Sequence, residues 1–262
     1  MPLKSIAFIP SKGNSEGIPK KNLQRIGDHS LVEWSLEFAV ESKEFESIVI
    51  STESIEIVEN TSRLSQYVDQ FEKLKDNQIL DTSDNIQLHK RSKALATQSA
   101  STLDLLDSFL QAQNIEVDTC VTLLQPTCPF RSILELSIIL NLVRRKEFHS
   151  VASARLFDSP HPQKALRLLA DSSVDANDLE LDLLSSPRQA LAELFVLDGA
   201  YYCVDVAQFK KTKRLVSTGT HIIKRKGVST VNIDNEDDLH YARFIFETKK
   251  KLIPWTPVKE SF

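Results

Sequence analysis

Leu3-Lys4-Ser5-Ile6-Ala7-Phe8-Ile9-Pro10, running on into Ser11-Lys12-Gly13-Asn14-Ser15-Glu16-Gly17-Ile18-Pro19-Lys20-Lys21-Asn22, is the stretch on which the reading of this chain turns. The first half is a short apolar run stopped by proline, which reads as a buried strand. The second half supplies what an anion site needs: backbone N–H groups, glycines that let the main chain approach closely, and lysines with mobile positive charge. It follows neither the Walker spacing nor the dinucleotide glycine fingerprint, so a phosphate loop and a solvated basic turn both remain open on spacing alone.

Outward from this stretch, strand-like and helix-like segments alternate, the pattern of a mainly parallel sheet covered by helices. Ser30 caps a helix with Leu31, Trp34, Ser35 and Phe38 at helical spacing. Ser47 to Ser51 reads as a strand and Ile55 to Leu64 as a helix. The polar stretch 66–87 reads as an irregular insertion. Leu103, Leu106 and Leu110 mark a helix over 102–112, Cys120 to Leu124 a central strand, and 133–145 another helix. Ser150 to Ala154 and Ser229 to Ile233 read as strands, the latter leading into a helix over 236–249. Between them, 158–193 carries Ser159-Pro160-His161-Pro162 and an acidic, leucine-bearing stretch, an excursion from the sheet. No internal repeat or low-complexity linker is present.

The 262 residues suffice for one large α/β domain or two small ones, and 41% hydrophobic with 26% charged is ordinary for a globular protein. A net charge of −4 argues against a general nucleic-acid surface, so an anionic ligand requires a local positive pocket. Cys120, Cys128 and Cys203 have no metal-ligand spacing and lie in or beside apolar runs, as expected of reduced, mostly buried thiols. Cys128 lies in a candidate substrate loop, where a packed role and a reactive one both have a physical basis. No run approaches membrane-spanning length and the start lacks a signal-peptide layout, so the expected location is the cytoplasm, with no membrane partner. None of the six histidines pairs with Ser or Cys in a nucleophile motif.

The opening loop, Leu124-Gln125-Pro126-Thr127-Cys128-Pro129 and Val231-Asn232-Ile233-Asp234 together resemble the acylneuraminate cytidylyltransferase (CMP-sialic acid synthetase) family, in the same order over most of the chain. The resemblance implies a nucleotide-diphospho-sugar transferase-like, Rossmann-like α/β fold: one domain over 1–262, from which 156–195 projects to form a homodimer and reach the neighbouring site. A local minidomain in a monomer would use the same apolar residues. The implied reaction transfers CMP from CTP to the anomeric hydroxyl of a sialic-acid-like ulosonic acid, releasing pyrophosphate, with Mg²⁺ as cofactor and surface polysaccharide synthesis as destination. Such chemistry depends on positioning, cations and metal.

By the same match, Lys21, Gln125 and Asp234 would be catalytic, and Lys12, Ser15, Asn22, Arg91, Thr102 and Gln125 would bind nucleotide. Arg188, Gln189, Asp198 and Tyr202 would meet the sugar, and Asp234 with Asn232 would hold metal. His161, flanked by prolines, reads either as a neighbour of the sugar site or as part of a rigid turn. Without the resemblance, Thr102 reads as a helix cap, Asp234 as a cap paired with Asp237, and one of Tyr201 and Tyr202 as strand packing. The chain departs from the family at Lys12 (usually Arg), Glu16 (usually Lys), Asp198 (usually Asn) and Asn232 (usually Asp), and Leu215-Val216 replace an aromatic pair. These departures keep two alternatives open: an impaired homologue that binds nucleotide or sugar, and a nucleotidyltransferase with another nucleotide or acceptor.

Overall fold

The computed structural model describes residues 3–15, 17–97, 100–157, 159–175 and 181–257. Its strands are β1 (Lys4–Pro10), β2 (Arg25–Ile26), β3 (His29–Ser30), β4 (Ser47–Thr52), β5 (Ile79–Asp81), β6 (Ile86–Lys90), β7 (Thr119–Leu123), β8 (Ser150–Leu156), β9 (Phe195–Asp205) and β10 (His221–Arg225). Its α-helices are α1 (Leu31–Ser42), α2 (Ile55–Glu59), α3 (Val68–Lys73), α4 (Thr102–Ala112), α5 (Ile133–Arg144), α6 (Leu181–Ser185), α7 (Val206–Thr212) and α8 (Glu236–Thr248).

The opening apolar run is buried on both faces because β1 lies inside the sheet, paired in parallel with β4 on one side and β7 on the other. Side chains alternate across a strand. Ile6 and Phe8 therefore enter a core with α4 and α7, while Ala7 and Ile9 enter the opposite core with α1 and α5. The strand order is β10-β8-β9-β7-β1-β4-β6-β5, and only β5 and β9 run against the rest. The chain leaves β1 toward β4 and β6, then returns to β7 on its other side. That reversal opens a crevice at the carboxyl ends of the parallel strands, where α/β sheets bind ligands.

α1 begins where the cap predicts, with Ser30 and Glu33 exchanging bonds in a capping box. Three expectations need correction. The helix from Ile55 stops at Glu59, because the Thr61 hydroxyl bonds Ile57 O and Ser62 turns to donate to Glu33. The stretch 66–87 is not irregular. It holds α3 and a β5–β6 hairpin whose turn places Asp84 and Asn85 at φ 57° and 56°, and β6 extends the parallel sheet. That turn pair and the Ile86/Leu88 alternation were the available signals. The last expected strand, 229–233, joins no sheet. Val231 and Ile233 instead sink into a third core with Trp34, Phe130 and α8, and the edge strand is β10.

His89 on β6 is fully buried, with Nδ1 2.9 Å from the Ser51 hydroxyl and its ring edge-on to Phe109. Burial, with Arg91 adding to it, lowers its pKa from 6.5 to about 4. The unfolded chain therefore binds a proton that the folded chain refuses. The stabilising difference is intact above about pH 6.5 and is lost as pH falls toward 4, an effect on the order of 3 kcal/mol. Urea titrations of wild type and His89→Phe should diverge across that window, and parallel curves would refute this assignment.

Candidate active site

The loop after β1 is anchored from below before it presents anything to solvent. Ile18 is buried in the Trp34 core, and a Cβ on Gly17 would come within 2.5 Å of Asp234 O, so only glycine permits this approach. Lys21 follows in a short 3₁₀ turn. Its ammonium donates to Ile233 O at 3.1 Å and lies 3.7 Å from Asp234 Oδ1. Asn22 donates to Lys12 O at 2.8 Å, which closes the loop on itself.

Every residue matched to nucleotide lines one cleft at the carboxyl ends of β1, β6 and β7. Lys12, Ser15 and Asn22 come from the loop, Arg91 from the end of β6, Thr102 from the start of α4 and Gln125 from the turn after β7, with Lys21 beside them. Three cations and no carboxylate line it among the described residues, which is the local positive pocket that an acidic chain needs for an anion. Thr102 is not the helix cap. Ser101 caps α4, which leaves the Thr102 hydroxyl without that duty.

Arg91 is 4% exposed; its pKa is lowered by burial, an effect partly offset by Glu53. Arg131, which sequence reasoning passed over, is fully buried and holds the Gln125 turn by donating to Gln125 O, Ala200 O and Ser35 Oγ. Its only signal was an arginine closing an apolar Cys-Pro-Phe run. Cys128 is packed and inert. Burial pushes its pKa up to about 11, and its thiol donates to Asp198 O and Asn232 Oδ1.

Asp234 and Asn232 border the adjoining cavity with Arg155 and Asp238. Asp234 is not the cap of α8 either. Asn235 takes that role with Asp238, leaving the Asp234 side chain 68% exposed beside Lys21. Asn232 donates its amide to Asp234 Oδ2 at 2.7 Å and turns its oxygen to Cys128. One exposed carboxylate fits Mg²⁺, which retains waters and takes further oxygens from substrate phosphates; the Asn232 oxygen, as placed, faces away from such an ion. Among the described residues no cluster of three or more metal-type side chains occurs.

The residues matched to sugar do not gather in this cleft. Arg188 and Gln189 line a separate cavity with His161, Leu156 and Phe157. His161 accepts from Gln163 N through Nδ1, so Nε2 carries the proton it donates to Ala192 O. Tyr202 is half-buried against the core beside α4, its pKa raised to about 12 by burial, while Tyr201 is wholly buried and bonds the Ser132 backbone. Asp198 departs furthest from expectation. Its carboxylate lies under the cleft with no exposed surface, bonded by Arg225, Ser153 and Ala200 N, and offers nothing to a sugar as placed. Leu215, one of the pair that replaces the aromatics, packs against the same core as Tyr202. Glu16 lies outside the described residues.

Comparison with known proteins finds similarity to cytidylyltransferases. A family model described as cytidylyltransferase matches residues 6–73, from β1 through the loop to α3. The N-acylneuraminate cytidylyltransferase of Oncorhynchus mykiss is 29% identical over 183 residues, covering 70% of this chain and 37% of that protein. Its counterpart from Escherichia coli O18:K1:H7 is 26% identical over 253 residues, covering 96% of this chain and 54% of that protein. The chain thus spans about half or less of the length of these relatives. Among solved structures, CMP:2-keto-3-deoxy-manno-octonic acid synthetase complexed with CTP superposes with a TM-score of 0.57 at 14% identity, covering 94% of this chain and 99% of that one.

Proposed function

From this kinship with the N-acylneuraminate cytidylyltransferases, we propose that the protein transfers CMP from CTP to the anomeric hydroxyl of a sialic-acid-like ulosonic acid. The observation that carries the reading is the convergence of Lys12, Ser15, Lys21, Asn22, Arg91 and Gln125, drawn from separate parts of the chain, on one cationic cleft. The acceptor oxygen attacks the α-phosphorus, the bond from phosphorus to the α,β-bridging oxygen breaks, pyrophosphate leaves, and the hydroxyl proton passes to solvent. Lys12 and the loop amides bind the phosphates, and Arg91 and Asn22 hold the nucleotide. Lys21 places positive charge where the transition state gathers negative charge. Mg²⁺, when bound at Asp234, neutralises phosphate charge.

Arg188 and Gln189 lie in their own cavity, which suits a reading in which they serve the acceptor bound to a second copy. Exposed Leu156, Leu166, Leu168, Leu169 and Val174 on the same segment supply the apolar surface for that homodimer. The proposed location is the cytoplasm. Three unpaired, buried cysteines accord with it, and no helix among the described residues is long and apolar enough to cross a membrane.

The test is pyrophosphate release from CTP and Mg²⁺ with sialic, legionaminic, pseudaminic and 3-deoxy-octulosonic acids, alongside calorimetric CTP binding. Release with one acid is expected and names the acceptor. Binding without release would favour the impaired homologue, to which the oxygen of Asn232 turned toward Cys128 lends support. Absence of both binding and release would overturn the reading.

A further inference from the structure

Glu53, directly after β4, belongs to none of the motifs above, yet it stands between the two halves of the cleft. Its Oε1 accepts from Gly13 N at 2.7 Å, in the middle of the loop that carries Lys12 and Ser15. Its Oε2 lies 3.8 Å from Arg91 Nε, and both of these atoms are buried without a hydrogen-bond partner among the described residues. The rest of Arg91 is fixed: its NH2 donates to Ser51 O at 2.7 Å and its backbone N–H to Thr52 O at 2.9 Å. On the other side, a Cβ on Gly13 would come within 2.6 Å of the Ser54 Cβ, so the loop is seated against the Glu53–Ser54 corner with no room for another side chain.

We propose that Glu53 is a positioning residue that ties the loop after β1 to Arg91, so that both face one nucleotide at the spacing its base and phosphates require. The inference rests on the nucleotide reading above for its purpose, but the tie itself belongs to the ligand-free protein. Two buried, unsatisfied atoms of opposite charge 3.8 Å apart are close enough to complete a charge-assisted hydrogen bond by a small side-chain rotation. A ligand that draws Arg91 toward the cleft mouth and one that orders the loop therefore act on the same carboxylate. Burial depresses the Arg91 pKa, and the Glu53 carboxylate opposes that in part.

Two variants separate the arms. Glu53→Gln keeps a carbonyl for Gly13 N but removes the charge from Arg91, whereas Glu53→Ala removes both. In the ligand-free protein, amide exchange at Gly13 should accelerate about tenfold or more in Glu53→Ala and stay within about threefold of wild type in Glu53→Gln. The Arg91 Nε–H resonance should shift in both variants. With CTP as the probe, the Kd should rise about tenfold in each. Unchanged Gly13 exchange in Glu53→Ala, an unmoved Arg91 resonance, or a CTP Kd within about twofold of wild type in both variants would overturn the proposal. If wild-type protein fails to bind CTP, the nucleotide reading falls alone, because the exchange and resonance comparisons still decide whether Glu53 ties loop to arginine.

Discussion

Lys21→Met should lower the rate of CTP-dependent pyrophosphate release by about 10²–10³-fold while leaving the fold intact. The Lys21 side chain is 15% exposed, its ammonium held by Ile233 O and set 3.7 Å from Asp234, so it cannot swing freely to another partner. A cation fixed in this way stabilises developing phosphoryl charge without reorganising at the moment of reaction, which is why its loss should fall on kcat more than on CTP affinity. Methionine keeps most of the stem and its packing. Asp234→Ala should abolish the Mg²⁺-dependent part of the rate by a comparable factor, since the neighbouring carboxylate of the same cavity, Asp238, is engaged by the Asp234 and Asn235 backbone N–H groups. Turnover within about threefold of wild type in Lys21→Met would remove the lysine from the chemistry.

The largest stability loss is expected from Arg225→Leu, at about 3–5 kcal/mol in denaturant unfolding. The guanidinium has no exposed surface and spreads three bonds over two elements and a loop: Nε to Glu135 on α5, NH1 to Asp198 on β9 and NH2 to Phe130 O in the loop before α5. Burial opposes its charge, but Asp198, Tyr201 and Glu135 outweigh that and its pKa is raised. Removing it leaves the Asp198 carboxylate, itself without exposed surface, with Ser153 and one backbone N–H as its remaining partners. Arg225→Lys should recover only part of the loss, because a single ammonium cannot reproduce the planar fork. Asp198→Asn should cost less, since Arg225 keeps Glu135 and Phe130 O. A loss below about 1 kcal/mol in Arg225→Leu would show that the pair is not what holds β9 and β10 over α5.

Asp198 also shows where motif reading stops. Next to Gly199-Ala200-Tyr201-Tyr202, a carboxylate in place of asparagine reads as a change in sugar contact. The structure pairs it with Arg225, twenty-seven residues away, and nothing in the local sequence marks that partner. Glu53 and Arg131 were passed over for the same reason: each acts through backbone groups of a different segment, and a hydrogen bond to a distant amide or carbonyl leaves no spacing to read. The β5–β6 hairpin was hidden by polar residues because it borders the sheet edge, where one face tolerates water. Residues 229–233 misled in the opposite direction. Val231 and Ile233 alternate as in a strand because they fill the Trp34 core, not because they join a ladder.

By itself, the sequence determined what local physics and ordered motifs can carry: the alternation of apolar runs and helical faces, the cap at Ser30, the buried cysteines and the loop whose residues converge on the cleft. These follow from period, propensity and short-range hydrogen bonding, which are properties of neighbouring residues. Only the tertiary structure decided which charges face solvent and which face one another. It set Asp234 free by giving the α8 cap to Asn235, withdrew Asp198 into a buried pair, placed Arg188 and Gln189 in a cavity of their own, and seated Gly13 and Arg91 on either side of Glu53. The physical reason is that a charge takes its meaning from the dielectric and the partners around it, and both are supplied by segments that meet only when the sheet closes over its helices.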